Sequence, residues 1–187
     1  DFYSSEGGGL QALKKEYPYF FPREITDSIS LSKMGNKEEQ ELFVETQNIY
    51  KDFAPVKKQL TGLFKHIKYY NPEFIAPDVV TMLTNIDYDS RVIYADSLLI
   101  ISLDVYMGRK HKFYSDYPKY IKENNTQQHL IVDVAEAIIE RQISSSKDRR
   151  FVGKMIHEGK KMYLLDLYLP DIKDKEKIGY EDDKFNW

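Results

Sequence analysis

The most enzyme-like string in the sequence is His157-Glu158-Gly159-Lys160-Lys161. It begins like the helical motif of zinc peptidases, in which two histidines one helical turn apart bind the metal and the intervening glutamate acts as a general base. Lys161 occupies the place of the second histidine, and a protonated lysine has no lone pair to donate to a metal. The string therefore fails as a zinc motif.

The 4 histidines lie in different predicted elements, with no pair at the spacing of metal ligands. We therefore predict no catalytic residue, no metal and no cofactor, and a protein that is not an enzyme. The spacing does leave one alternative open, a metal-dependent, zincin-like hydrolase whose ligands His129, His157 and Glu158 are brought together by folding.

Three carboxylates offer a second kind of chemistry. Asp133 and Glu136 stand three residues apart on a predicted helix, and Glu158 follows His157 on the next one. Carboxylates that share a cleft raise one another's pKa or bind a hard cation. The spacing therefore allows Asp133, Glu136 and Glu158 to share one cleft, and the alternative is a solvated helix face.

A tract of aromatic side chains follows Gly108 without a regular period, which predicts a loop. Aromatic residues with one polar end are typical of recognition surfaces, although ordinary packing also uses them. We expect this loop to form a contact surface for a protein, or alternatively for a glycan such as peptidoglycan. Its residues are Phe113, Tyr114, Tyr117 and Tyr120.

Composition excludes several classes of function. Lys and Arg number 27 against 30 Asp and Glu, so no overall positive charge is available to hold nucleic acid. The absence of cysteine excludes disulfides and thiolate metal sites within these residues. No apolar run is long enough for a membrane helix, so we expect any signal or anchor to lie upstream.

The elements that position these residues follow from hydrophobic periodicity. Apolar spacing predicts a short helix before Pro18 and longer helices over about 37–51, from Pro55 to Asn71, over 127–142 and over about 147–169. The inward face of the last helix is predicted to carry Phe151, Met155, Tyr163 and Leu167.

Three β-like runs complete the prediction. Residues 79–83 and 92–94 are predicted to pair as a hairpin, and the most hydrophobic run, Leu98 to Leu103, is predicted to be the central strand. The fold class is therefore α+β, mainly helical with a small three-stranded sheet. We expect a single domain over residues 1–187, with 171–187 as an extended tail.

Several uncommon strings resemble the GldB-type gliding-motility lipoproteins of Bacteroidota. They run in order along the chain, and include Lys14-Lys15-Glu16-Tyr17-Pro18-Tyr19-Phe20-Phe21-Pro22, Leu63-Phe64-Lys65-His66-Ile67-Lys68-Tyr69-Tyr70, Val92-Ile93-Tyr94-Ala95-Asp96-Ser97-Leu98-Leu99-Ile100, Pro118-Lys119-Tyr120-Ile121 and Ile178-Gly179-Tyr180. The resemblance implies part of a longer cell-envelope lipoprotein, anchored in a membrane through an upstream lipid that this chain lacks. Unidentified envelope proteins are the implied partners.

A more distant similarity to gluzincin-type metalloprotease domains implies a degenerate zincin-like arrangement. Leu98 to Leu103 then matches the edge strand, Ile131 to Ile139 the zinc helix, and Glu158-Gly159 the glutamate-bearing helix. Residues 131–137 contain no histidine, so the resemblance implies a pseudo-metalloprotease that has lost its metal. The former cleft then becomes a candidate binding pocket formed by Asp133, Glu136, His157 and Glu158. The function we predict is a non-catalytic interaction or scaffolding domain related to the gliding apparatus.

Overall fold

The computed structural model describes residues 9–22, 26–95, 97–144 and 150–179, and for Tyr19 it describes only the backbone. The chain divides into two compact units, residues 1–51 and residues 52–187. Each unit is described by itself below. The single domain over residues 1–187 stays a prediction.

The first unit is helical. Its described elements are α1 (Gly9–Glu16), a 3-10 helix (Pro18–Phe20), α2 (Asp27–Met34) and α3 (Lys37–Ile49). The Asn36 side chain caps α3 by accepting hydrogen bonds from the backbone N–H groups of Glu38 (2.9 Å) and Glu39 (3.3 Å). The predicted helices at the start of the chain and at 37–51 are therefore confirmed, whereas α2 was not anticipated.

The second unit contains five helices within its described residues: α4 (Ala54–Tyr70), α5 (Lys119–Lys122), α6 (Gln127–Gln142), α7 (Phe151–Tyr168) and α8 (Asp174–Ile178). Pro55 lies in the first turn of α4, where its missing N–H costs nothing. The predicted apolar stripes of α4 and α6 are buried. No helix in the described ranges is both long and apolar enough to cross a membrane.

One small mixed sheet packs against these helices. Its strands are β1 (Asp78–Met82), β2 (Val92–Ala95) and β3 (Leu98–Ser102), in the order β1-β3-β2. β1 runs parallel to β3, with Asp78 opposite Leu98, and β2 runs antiparallel to β3. The α+β class with a three-stranded sheet and a central β3 is confirmed.

The predicted pairing of the first two strands is wrong, because the hairpin joins β2 to β3. Leu99 and Ile101 of β3 are fully buried, and so apolar a strand takes the position with partners on both sides. The expectation that this run forms an edge strand, as in a zincin-like arrangement, is wrong for the same reason.

A strained turn follows β1. Asn85 and Ile86 have φ angles of 62° and 61°, in the left-handed region that a β-branched residue rarely adopts. The carboxylate of Asp104, which is fully buried, accepts hydrogen bonds from the backbone N–H groups of Ile86 (2.7 Å) and Thr84 (3.1 Å). Burial raises the pKa of Asp104, against the lowering effect of these hydrogen bonds. Asp104 thereby holds the turn in its strained form.

The inward face predicted for α7 is wrong. Phe151, Met155 and Tyr163 are 76%, 57% and 64% exposed, whereas Leu165 and Tyr168 are buried. Leu167 is half-buried. Both sides of this helix carry apolar residues, so periodicity alone does not say which side meets the core. Residues 147–149, the predicted start of the helix, lie outside the described residues.

The segment predicted as an extended tail contains helix α8. Lys177 is buried there, and its Nζ lies 2.7 Å from the Asp166 carboxylate of α7. The Glu176 carbonyl lies 3.1 Å from Nδ1 of His129 on α6. These polar contacts fold residues 174–179 back onto the helices, although the segment has little apolar surface. Residues 180–187 lie outside the described residues.

We predict that Gly179→Ala destabilises the protein by about 1 to 2 kcal/mol, measured by urea denaturation. Gly179 ends α8 with φ +69°, and a Cβ there would lie 2.8 Å from the Asn124 side-chain amide. Gly62→Ala is the matched control, because Gly62 lies inside α4 with open space around its Cα and should gain up to about 1 kcal/mol. Equal effects of the two substitutions would contradict the argument.

Candidate functional site

Asp133 of α6 is a buried carboxylate with several polar partners. Its side chain is 2% exposed and accepts two hydrogen bonds from one edge of the Arg91 guanidinium, with Nη2 at 2.9 Å from Oδ1 and Nε at 2.9 Å from Oδ2. The Tyr106 hydroxyl also donates to Oδ2, at 2.7 Å. This two-pronged pairing is the strong form of a charge-assisted hydrogen bond.

Local structure explains why these groups meet. Arg91 immediately precedes β2, and Tyr106 follows the 3-10 helix (Leu103–Val105) that continues β3, so both lie at ends of neighbouring strands. α6 packs across β2. The Arg91 guanidinium lies 4.3 Å from the centre of the Tyr88 ring, and this stacking fixes its orientation.

His129 extends the network by one helical turn. Its Nε2 lies 3.6 Å from Asp133, and its Nδ1 lies 3.1 Å from the Glu176 carbonyl. Because a carbonyl only accepts, Nδ1 carries the proton and donates it to Glu176. Burial lowers the pKa of His129 and outweighs the opposing effect of Asp133. The imidazole is therefore neutral at pH 7 and links α6 to α8.

A cleft of about 420 Å³ opens beside the Arg91–Asp133 pair. It is lined by Tyr88, Asp89, Arg91, Val92, Asp133, Glu136, Ala137 and Glu140. Burial raises the pKa of Glu136, and the nearby charge of Asp133 raises it further. The cleft is therefore acidic. Its Glu136 carboxyl has a raised pKa, and its Arg91 cation is already paired with Asp133.

The structure brings together half of the predicted pocket. Asp133 and Glu136 line the cleft, but His157 and Glu158 do not. His157 Nε2 lies 3.7 Å from the Glu140 carboxylate, while the Glu158 side chain is 64% exposed and pairs with Lys161 at 3.3 Å. His157 and Glu158 are therefore not part of the cleft lining, although His157 lies beside Glu140, and a binding role for them stays a prediction.

The ligand set of the alternative metal-dependent hydrolase is not assembled. His129 faces α8 and Asp133, whereas His157 and Glu158 lie against Glu140 and Lys161. Across residues 9–22, 26–95, 97–144 and 150–179, no three His, Asp or Glu side chains are grouped as metal ligands would be. The hydrolase alternative built on His129, His157 and Glu158 is contradicted by this placement.

One of the four aromatic residues of the tract, Tyr114, is internal. The tract forms a 3-10 helix (Lys112–Tyr114) followed by α5. Tyr114 is fully buried, where its hydroxyl donates to the Asp104 carbonyl (2.5 Å) and accepts from the Met107 N–H (3.0 Å). Burial raises its pKa. The prediction that Tyr114 belongs to a surface is wrong, because its ring is buried and its hydroxyl both donates and accepts a hydrogen bond inside the protein.

The other members of the aromatic tract are more accessible. Phe113 stacks on His111, with ring centres 5.6 Å apart, and is half-buried. Tyr117 donates to the Ile86 carbonyl at 3.2 Å and packs edge-on against Tyr114. Tyr120 is 71% exposed. A binding role for Phe113, Tyr117 and Tyr120 stays a prediction.

Sequence reasoning missed Arg91 and Tyr106. A signal for them existed in α6, where residues 129–135 are buried without a break and Asp133 is the one carboxylate among them. A buried charge requires a partner. The apolar residues around Asp133 therefore indicated that a cation must lie near it, but they did not indicate that this cation is Arg91.

The outer side of α7 is apolar and exposed, and sequence reasoning placed part of it inside. We call it the α7 stripe. Its members are Phe151 (76% exposed), Val152 (59%), Met155 (57%), Ile156 (55%) and Tyr163 (64%). Isolated exposed apolar residues are ordinary, but five on one helix form a continuous surface of the kind that marks interaction sites.

Comparison with known proteins returned one match. The family model described as gliding motility protein GldB matches residues 1–187, the whole chain. No curated protein and no solved structure matched it.

We predict that Asp133→Ala destabilises the protein by about 2 to 4 kcal/mol, because it leaves the Arg91 charge largely buried without its partner. Arg91 retains some contact with water, which puts the cost below that of a fully enclosed pair. Urea denaturation would measure it, with the exposed Glu158→Ala as the matched carboxylate control. The double variant Arg91→Met, Asp133→Leu should recover most of the loss, and a failure to recover would contradict the argument.

Glu136→Gln should stabilise the protein increasingly as pH rises. The folded-state pKa of Glu136 is raised above 4.5, so the folded state holds this proton more tightly than the unfolded chain. The wild type therefore loses stability as pH rises from about 4.5 through the folded pKa, and glutamine removes that loss. Urea denaturation from pH 4 to 8 should show the gap between variant and wild type opening with pH. A constant gap would contradict the raised pKa.

Proposed function

Because the chain belongs to the family of gliding motility protein GldB, we propose that it is a non-catalytic scaffolding domain of the gliding apparatus. In this proposal the domain acts by docking on another component of the cell envelope. The full-length protein would be a lipoprotein held in a membrane by an upstream lipid, and envelope proteins would be among its partners.

The buried polar groups support a structural role more than a catalytic one. The Asp133 carboxylate is occupied by Arg91 and Tyr106. The Asp104 carboxylate is occupied by backbone N–H groups, and the Tyr114 hydroxyl both donates and accepts. Polar groups whose hydrogen bonds are already made within the protein stabilise the fold and are poorly available to a substrate.

The observation that carries the proposal is the α7 stripe. Large apolar side chains that remain exposed in a folded protein mark a surface that another molecule covers. The opposite side of the same helix, with Gly153, Leu165 and Tyr168, is buried. α7 therefore has one side for the fold and one side available for docking.

A cell-based experiment tests the docking role. In a gliding bacterium whose single copy of the gene encodes Met155→Glu, Ile156→Glu, we expect colony spreading to be lost while the protein level stays normal. Charges on the stripe block an apolar contact but leave the core untouched. The matched control is Val44→Glu, Ile75→Glu, which places the same charges on two side chains that are 54% and 79% exposed elsewhere. Normal spreading by the stripe variant would contradict the proposal.

The same strain tests the non-catalytic part. Glu136→Gln and Glu158→Gln each remove a carboxylate that a hydrolase would need for acid–base chemistry, while keeping the side-chain size. We expect both to spread normally. Loss of spreading by either variant at a normal protein level would count against a scaffold and in favour of a reaction in the cleft.

A further inference from the structure

The α7 stripe is continuous along the outer side of the helix. At about 100° per residue, Phe151, Met155 and the pair Val152 and Ile156 fall on one side, and Tyr163 extends that side two turns further. Gly159 lies between them and leaves the side open. The first ten residues of α7 are exposed except for Gly153 and His157, so this half of the helix projects its apolar side outward.

The charges beside the stripe are mostly positive. Lys154 and Lys160 are exposed and lie on opposite flanks of the stripe. Glu158 pairs with Lys161, which it shares with Glu140 of α6, and Asp166 pairs with Lys177. Within the first ten residues of α7, two exposed lysines therefore stand beside the stripe against one exposed carboxylate, Glu158. The chain as a whole carries a net charge of -3, so this positive character is local to α7.

We propose that α7 docks on the surface of a membrane that contains anionic lipids. The stripe would enter the boundary between headgroups and acyl chains, and the two lysines would reach sideways to the phosphates. This inference rests on the proposed function, because it names the component on which the domain docks. Lys flanks around a mixed aromatic and aliphatic stripe are the pattern of helices that lie in a membrane interface.

Vesicle binding tests the inference. The purified chain is sedimented with phosphatidylcholine vesicles, with or without one-third phosphatidylglycerol. We expect binding to the anionic vesicles that weakens as salt is raised, and weaker binding to the neutral ones. Met155→Ser, Ile156→Ser should reduce the partition coefficient at least about tenfold. Val44→Ser, Ile75→Ser is its matched control, on two exposed apolar side chains elsewhere, and should bind as the wild type does.

The charge requirement has its own pair of variants. Lys154→Glu, Lys160→Glu should reduce binding to anionic vesicles about tenfold or more and change binding to neutral vesicles little. Lys57→Glu, Lys65→Glu alters the net charge equally on exposed positions of α4 and should keep most of the binding. Circular dichroism confirms that each variant is folded.

Two outcomes overturn the inference: no sedimentation with anionic vesicles, or binding that the stripe and lysine variants leave unchanged. The failures of the two proposals are distinguishable. If vesicles are not bound but the Met155→Glu, Ile156→Glu strain does not glide, docking holds and the membrane as its target does not. If vesicles are bound through α7 but that strain glides normally, the membrane contact stands and the docking role in gliding fails.

Discussion

A carboxylate removed from water must be compensated by the protein, and in the second unit Asp133 imposes this requirement. Its partners come from the ends of two strands, Arg91 before β2 and Tyr106 after β3. The helix that carries Asp133 can therefore lie across the sheet in only one position that satisfies the charge. Since His129 on the same helix holds the Glu176 carbonyl, the placement of α8 depends on the same constraint.

Elements with one apolar face were predictable from sequence. α4 has a regular stripe, Asn36 caps α3 through its side chain, and β3 is the most hydrophobic run. The predictions that failed concern which neighbouring element a helix or strand packs against or pairs with. α7 has apolar residues on two sides, and only the tertiary structure decides which side is covered. The parallel pairing of β1 with β3 depends on a crossover, which local sequence does not encode.

The candidate site shows the same division between local and distant information. The three-residue spacing of Asp133 and Glu136 predicted that they share a cleft, because that spacing is a property of one helix. Arg91 and Tyr106 are 42 and 27 residues away from Asp133, beyond the reach of any periodic pattern. Tyr114 shows a further limit of sequence-based prediction. A tyrosine side chain suits both a surface and a core, and the Tyr114 hydroxyl has its hydrogen-bond partners inside the protein.

The strained turn after β1 has a consequence for the order in which the chain folds. Its hydrogen-bond acceptor, Asp104, lies 18 residues beyond Ile86, at the far end of the central strand. During synthesis, therefore, β1 and its turn emerge before the group that makes their backbone conformation tolerable. We therefore expect β1 to become fixed only once β3 and the residues that follow it are in place, because they bring Asp104 to the turn. In the native state, we expect the sheet to open most readily at its β1 edge.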